Sequence, residues 1–303
     1  MTPENVPPLD PAPWPVRERP NVATRPLTEG DLAQAATLLG EAGFHTDVDR
    51  YALKLRLAPE TCLAAEGGGR LLGVAMASVR GRWAWVGPVA VARDARGRGV
   101  GTRLFAALDR LLAERVDAAQ LEVSVVNAPA IAVYRRAGFE IVSEVRALAR
   151  WTASAPARPP AEVRPASPED LTAVARLDRR FSAIDRSPDL EHLLVSARRG
   201  ALLLGDPPRG YALYDEASGF VGPLGAPSLD EALQLVDASL AALHRLGQPW
   251  ALCHPIRPPS LDVALESRAF RPTGARFYRM RKVYRAPTPT AEGCYLSSGH
   301  SKG

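Results

Sequence analysis

The stretch from Val86 to Gly101, V-G-P-V-A-V-A-R-D-A-R-G-R-G-V-G, constrains this chain more than any other. Trp83 to Val91 reads as a buried strand. After the loop, Leu104, Phe105, Leu108, Leu111 and Leu112 recur on one face at helical spacing, so a helix begins near Thr102. A glycine-rich loop between strand and helix leaves the first helical amides without internal partners, at the positive end of the helix dipole. Such a junction is a site for phosphate oxygens.

The spacing separates the cofactors that could bring the phosphate. A nucleotide P-loop needs Gly-Lys-Ser/Thr, and here Thr102 follows Gly101 with no lysine. A dinucleotide fingerprint would put its third glycine at position 102, which is Thr102. The run Arg96, Gly97, Arg98, Gly99, Val100, Gly101 instead resembles the Arg/Gln-x-x-Gly-x-Gly/Ala signature of the GNAT superfamily of N-acetyltransferases. That resemblance implies acetyl-CoA as co-substrate, held at its phosphates by Arg96 to Thr102. It also implies a bulge in the preceding strand, for which Gly87-Pro88 is suited. The pantetheine arm would then pair with the backbone of Val89, Ala90 and Val91.

A second block, L-E-V-S-V-V-N-A-P-A-I-A-V-Y-R-R-A-G-F-E at 121–140, resembles the other half of the same family's site. Leu121 to Val125 reads as a strand, Asn127 as a helix N-cap and Ala130 to Ala137 as a short helix ended by Gly138. Asn127 and Tyr134 lie seven residues apart, about two turns, and project in similar directions. The resemblance makes Asn127 a contact for the cofactor arm and Tyr134 the general acid for the departing thiolate, a task suited to a phenol protonated at neutral pH. Glu122 stands five residues before Asn127, as does the base of the branch that acetylates protein N-termini. A salt-bridged strand glutamate is the other reading of it. Glu41, His45, Asp47 and Asp49 lie where the family places acceptor contacts.

At 303 residues the chain has room for two domains of roughly 150 each. With 46% hydrophobic and 23% charged residues it reads as globular, without a membrane-crossing run or a signal peptide, and the expected location is cytoplasmic. Three cysteines, Cys62, Cys253 and Cys294, form no C-x-x-C pair, so neither a disulfide scaffold nor a metal site is expected. The net charge is +5, but its densest cluster, Arg93, Arg96, Arg98 and Arg103, surrounds the glycine loop, which points to CoA phosphates instead of nucleic acid.

Residues 1–20, with seven prolines, read as an extended arm, and 151–162 as a Pro/Ala-rich linker. Between them, 21–150 hold the element order of one complete acetyltransferase domain. Beyond the linker the pattern returns. T-R-P-L-T-E-G-D-L at 24–32 recurs as V-R-P-A-S-P-E-D-L at 163–171, V-G-P-V at 86 as V-G-P-L at 221, and R-A-G-F at 136 as S-R-A-F at 267. The three-glycine loop does not recur, and Asn127 and Tyr134 correspond to Pro258 and Leu265.

The fold class expected is α/β, two tandem GNAT-like domains, each a mostly antiparallel twisted sheet flanked by helices. The second, 163–285, is degenerate, and 286–303 form a flexible tail. The function expected is acetyl transfer from acetyl-CoA to a primary amine of a protein, peptide or small molecule, by a monomer or homodimer. A non-catalytic acyl-CoA sensor is the alternative. No membrane and no nucleic-acid partner are expected.

Overall fold

The computed structural model describes residues 22–44, 48–154, 160–195, 199–256, 259–287 and 293–297. The proline-rich stretch 1–20 lies outside them, as do His45, Asp47 and Pro258.

The first half runs β1 (Ala23–Pro26), α1 (Leu32–Glu41), α2 (Val48–Leu57), β2 (Cys62–Gly67), β3 (Arg70–Arg80), β4 (Trp83–Val91), α3 (Val100–Arg115), β5 (Ala118–Ser124), α4 (Ala128–Arg136) and β6 (Glu140–Trp151). Leu104, Phe105, Leu108 and Leu112 form the buried stripe that seats α3 on one face of the sheet, while Leu39, Tyr51 and Leu55 seat α1 and α2 on the other. The helix α3 begins at Val100, two residues earlier than its apolar stripe indicates, because Gly99 in the left-handed region caps it.

The second half repeats this order: β7 (Val163–Pro165), α5 (Leu171–Ser182), α6 (Ser187–Val195), β8 (Arg199–Leu204), β9 (Gly210–Asp215), β10 (Phe220–Gly225), α7 (Leu229–Arg245), β11 (Trp250–Cys253), α8 (Pro259–Ser267) and β12 (Arg271–Val283). The repeat extends to side-chain chemistry. Arg25 grips Asp31 beside a capping box on Thr28, and Arg164 grips Asp170 beside one on Ser167.

All the strands join one sheet, ordered β1-β2-β3-β4-β5-β12-β6-β11-β10-β9-β8-β7. The separate sheets implied by the repeat are therefore fused, and the fusion is an exchange. The strand β12 of the second half lies between β5 and β6, while β6 of the first half lies between β12 and β11. Ion pairs follow it across the seam: Glu144 with Arg276 at 2.6 Å, and Arg80 with Asp189.

Cys294–Leu296 form a further strand, β13, antiparallel to β10. This short strand lies within the stretch 286–303 expected as a flexible tail, of which 288–292 and 298–303 are outside the described residues.

Candidate active site

The strand β4 pairs with β3 along its length, but between Val86 and Val89 three steps on β4 span only two on β3, from Ala77 to Ala75. The extra residue falls at Gly87-Pro88, where glycine takes φ +147° and proline has no amide to donate. The parallel ladder from β4 to β5 covers only Trp83–Trp85 against Ala118–Gln120. Beyond it the two strands diverge, and a cleft of about 1410 Å³ opens between them.

The glycine loop closes one end of this cleft. Gly97 and Gly99 have φ of +73° and +79°, and a Cβ built on either meets nothing within 4 Å. The first amide of α3 bonded within the helix is Arg103, donating to Gly99 O at 3.0 Å, so the amides of Gly99 to Thr102 come before the helical ladder. Arg96 donates from Nε to Val91 O at 2.9 Å, tying the loop to the end of β4. These features suit a diphosphate: an open turn, a helix start and the guanidinium groups of Arg96 and Arg98.

Across the cleft, Asn127 caps α4, its Oδ1 accepting from Ala130 N at 3.3 Å. Tyr134 packs its ring 4.8 Å from Phe105. Burial pushes its phenol up to about 12. The Glu122 side chain is fully buried, and its Oε1 accepts from Arg279 Nε at 3.0 Å and Nη2 at 2.5 Å. Val89, Ala90, Val91, the run Arg96 to Thr102, Glu122, Asn127 and Tyr134 all line this one cleft. From the segment after α1, Ala42, Gly43 and Phe44 reach it, while Glu41 and Asp49 are not among its lining residues.

The sequence and the fold have counterparts in known proteins. A model of the acetyltransferase (GNAT) family matches residues 31–139. This stretch is a GNAT-family domain. Over 78 residues, 25% of the chain, the sequence is 45% identical to a mycothiol acetyltransferase of Clavibacter michiganensis. That match spans 26% of the relative's length. A putative acetyltransferase from Pyrococcus horikoshii shares the fold at a TM-score of 0.77 with 18% identity, over 93% of this chain and 96% of that one. A tandem GNAT protein from the clavulanic acid biosynthesis pathway shares it at 0.59 with 16% identity, over 89% of this chain and 100% of that one.

The GNAT domain does not line the cleft alone. Asp215, Phe220, Leu252, His254, Thr273 and Phe277 of the second half form its far wall. His254, only 2% exposed, sets its ring edge-on to Phe220 at 5.1 Å and 6.0 Å from Phe277. Arg279 and this wall are the part of the site that sequence reasoning missed. The repeat located the second half, but no local pattern placed β12 beside β5. Among the described residues, no group of three or more His, Cys, Asp or Glu side chains gathers as a metal site, and no helix is long and apolar enough to cross a membrane.

Proposed function

We propose that the chain is an N-acetyltransferase that moves the acetyl group of acetyl-CoA to a primary amine in a single direct attack. The observation carrying this reading is the convergence on one cleft of the diverging β4 and β5, the open glycine loop and Tyr134. Residues 21–150 form the coenzyme-binding domain and 163–285 a degenerate partner without its own glycine loop.

The amides at the start of α3, with Arg96 and Arg98, hold the diphosphate. The edge of Val89 to Val91 aligns the pantetheine arm as a neighbouring strand would. A backbone amide of that edge faces the thioester oxygen and stabilises negative charge there during attack. As the amine nitrogen bonds to the acetyl carbon, the carbon–sulfur bond breaks and Tyr134 gives its proton to the departing sulfur. A phenol held protonated by burial suits that step. Glu122 takes the proton released by the amine, directly or through water. The guanidinium of Arg279 holds that carboxylate in place. Holding both reactants in one cleft supplies much of the rate.

The far wall from the second half encloses the acceptor. It favours a small amine, or the end of a peptide, over a folded protein surface.

Thiol release from acetyl-CoA, measured with a broad panel of amines, tests the reading. Tyr134→Phe is expected to lower turnover by about 10²-fold or more while leaving CoA affinity within a few fold. Gly99→Val is expected to abolish CoA binding, because its side chain would stand in the turn with a strained backbone. CoA binding without turnover on any amine would favour the acyl-CoA sensor instead.

A further inference from the structure

The divergence of β4 from β5 has a counterpart in the second half, and there protein fills it. The strands β10 and β11 run parallel only at Phe220 with Leu252 and Val221 with Cys253. Beyond that point β13 enters between them. On one side it pairs with β10, Leu224 facing Leu296 and Gly225 facing Cys294, and Ala226 N donates to Gly293 O at 3.0 Å. On the other side Pro255 bridges Leu296, Ile256 N donates to Tyr295 O at 2.9 Å, and Ser297 N donates to His254 O at 3.0 Å.

The position of this strand is specific. The two Gly-Pro pairs, Gly87-Pro88 and Gly222-Pro223, are 135 residues apart, and the same step carries Val89, Ala90 and Val91 onto Leu224, Gly225 and Ala226. The residues gripping β13 are thus the counterparts of those proposed to align the pantetheine arm. The fit also leaves no room for side chains at two glycines. A Cβ on Gly222 would come within 2.2 Å of Ser297 O, and one on Gly293 within 2.6 Å of Ala226 O. Leu296 is 1% exposed, so the strand also contributes to the core of this half.

We propose that the second half is a peptide-binding slot whose resident ligand is the chain's own segment 293–297, lying where a coenzyme arm would otherwise run. Its ligand class is an extended peptide, glycine at its entry and leucine three residues on, bound by strand addition. The docked segment holds the backbone of His254 to Ile256, and through it fixes His254 on the far wall of the first half's cleft. Only the comparison with a coenzyme arm rests on the proposed function; the docking itself does not.

The test compares the full chain with one ending at Pro287, and adds a synthetic peptide of residues 292–298. In the shortened chain, hydrogen exchange at the Ile256 amide should speed up at least tenfold, and the His254 ring resonance should leave the position set by Phe220 and Phe277. Peptide should bind one to one, restore both signals and raise the thermal midpoint as its concentration rises. A peptide carrying Leu296→Asp should not. Full-length Gly222→Val provides the same readouts without truncation, and its Ile256 exchange should match that of the shortened chain. Native Ile256 exchange in both altered chains, or failure of the peptide to bind the folded shortened chain, overturns the proposal. CoA binding is measured separately on the full chain, so loss of the coenzyme reading and loss of this one are told apart.

Discussion

Replacing Arg279 by methionine tests the strand exchange and the site together. Arg279 stands opposite Glu122 in the β5–β12 ladder, and its side chain is 10% exposed against 0% for the glutamate. Methionine keeps most of the volume but withdraws both guanidinium hydrogen bonds from the buried Glu122 carboxylate. Breaking a buried pair from one side costs about 3–5 kcal/mol. At roughly 2–4 °C per kcal/mol for a protein of this size class, the thermal midpoint should fall by about 6–20 °C. Removing both charges, with Glu122→Gln added, should recover much of the loss, giving a coupling of about 2 kcal/mol or more in a double-mutant cycle. The assay is calorimetric or fluorescence-monitored unfolding at pH 7. A midpoint within about 1 °C of the parent, or simple addition of the two single effects, would refute the placement of β12 beside β5, since a solvent-facing arginine costs within about 0.5 kcal/mol.

Three further outcomes are expected. Leu108→Ala, at a fully buried position under α3, should cost about 2–5 kcal/mol in denaturant unfolding, whereas Leu246→Ala, 52% exposed, should cost less than about 0.5; equal losses would contradict the packing of α3. Arg164, with the amide of Ser167, holds the Asp170 carboxyl well below the usual carboxylate range. Its contribution is therefore present above the unfolded value near 4 and lost as pH falls through the folded one, so Asp170→Asn should destabilise by about 1 kcal/mol at pH 7 and progressively less below pH 4. A constant difference down to pH 2 would count against that pairing. Because burial holds the Tyr134 phenol up to about 12, turnover should show no alkaline loss from phenol ionisation below about pH 11. A tyrosinate absorbance rising near pH 9 and absent in Tyr134→Phe would refute it.

Local chemistry made much of the site legible. The stripe from Leu104 to Leu112 located α3, and the bounds expected for β4 coincide with those observed. Gly97 and Gly99 occupy the left-handed turn that only glycine enters readily, and Asn127 caps the short helix as its side chain suggests. These features are decided by contacts within a few residues, so the order of letters determines them. The repeat was legible for a related reason: two segments with the same caps, bulge and helix pattern fold alike.

Tertiary structure alone decided which edges met. Alternation along a strand tells which face is buried, and is silent about which strand lies beside it. Since the halves are alike, β6 and β12 fit between the same neighbours in either sheet, and only the assembled fold selects the exchange. From that selection come the Arg279 partner of Glu122, the His254 wall of the cleft and the slot filled by Gly293 to Ser297. Each joins residues more than thirty positions apart, and all but the last join residues from different halves. Such pairings depend on the edge hydrogen bonds and shape of the folded sheet, which no local run of residues encodes.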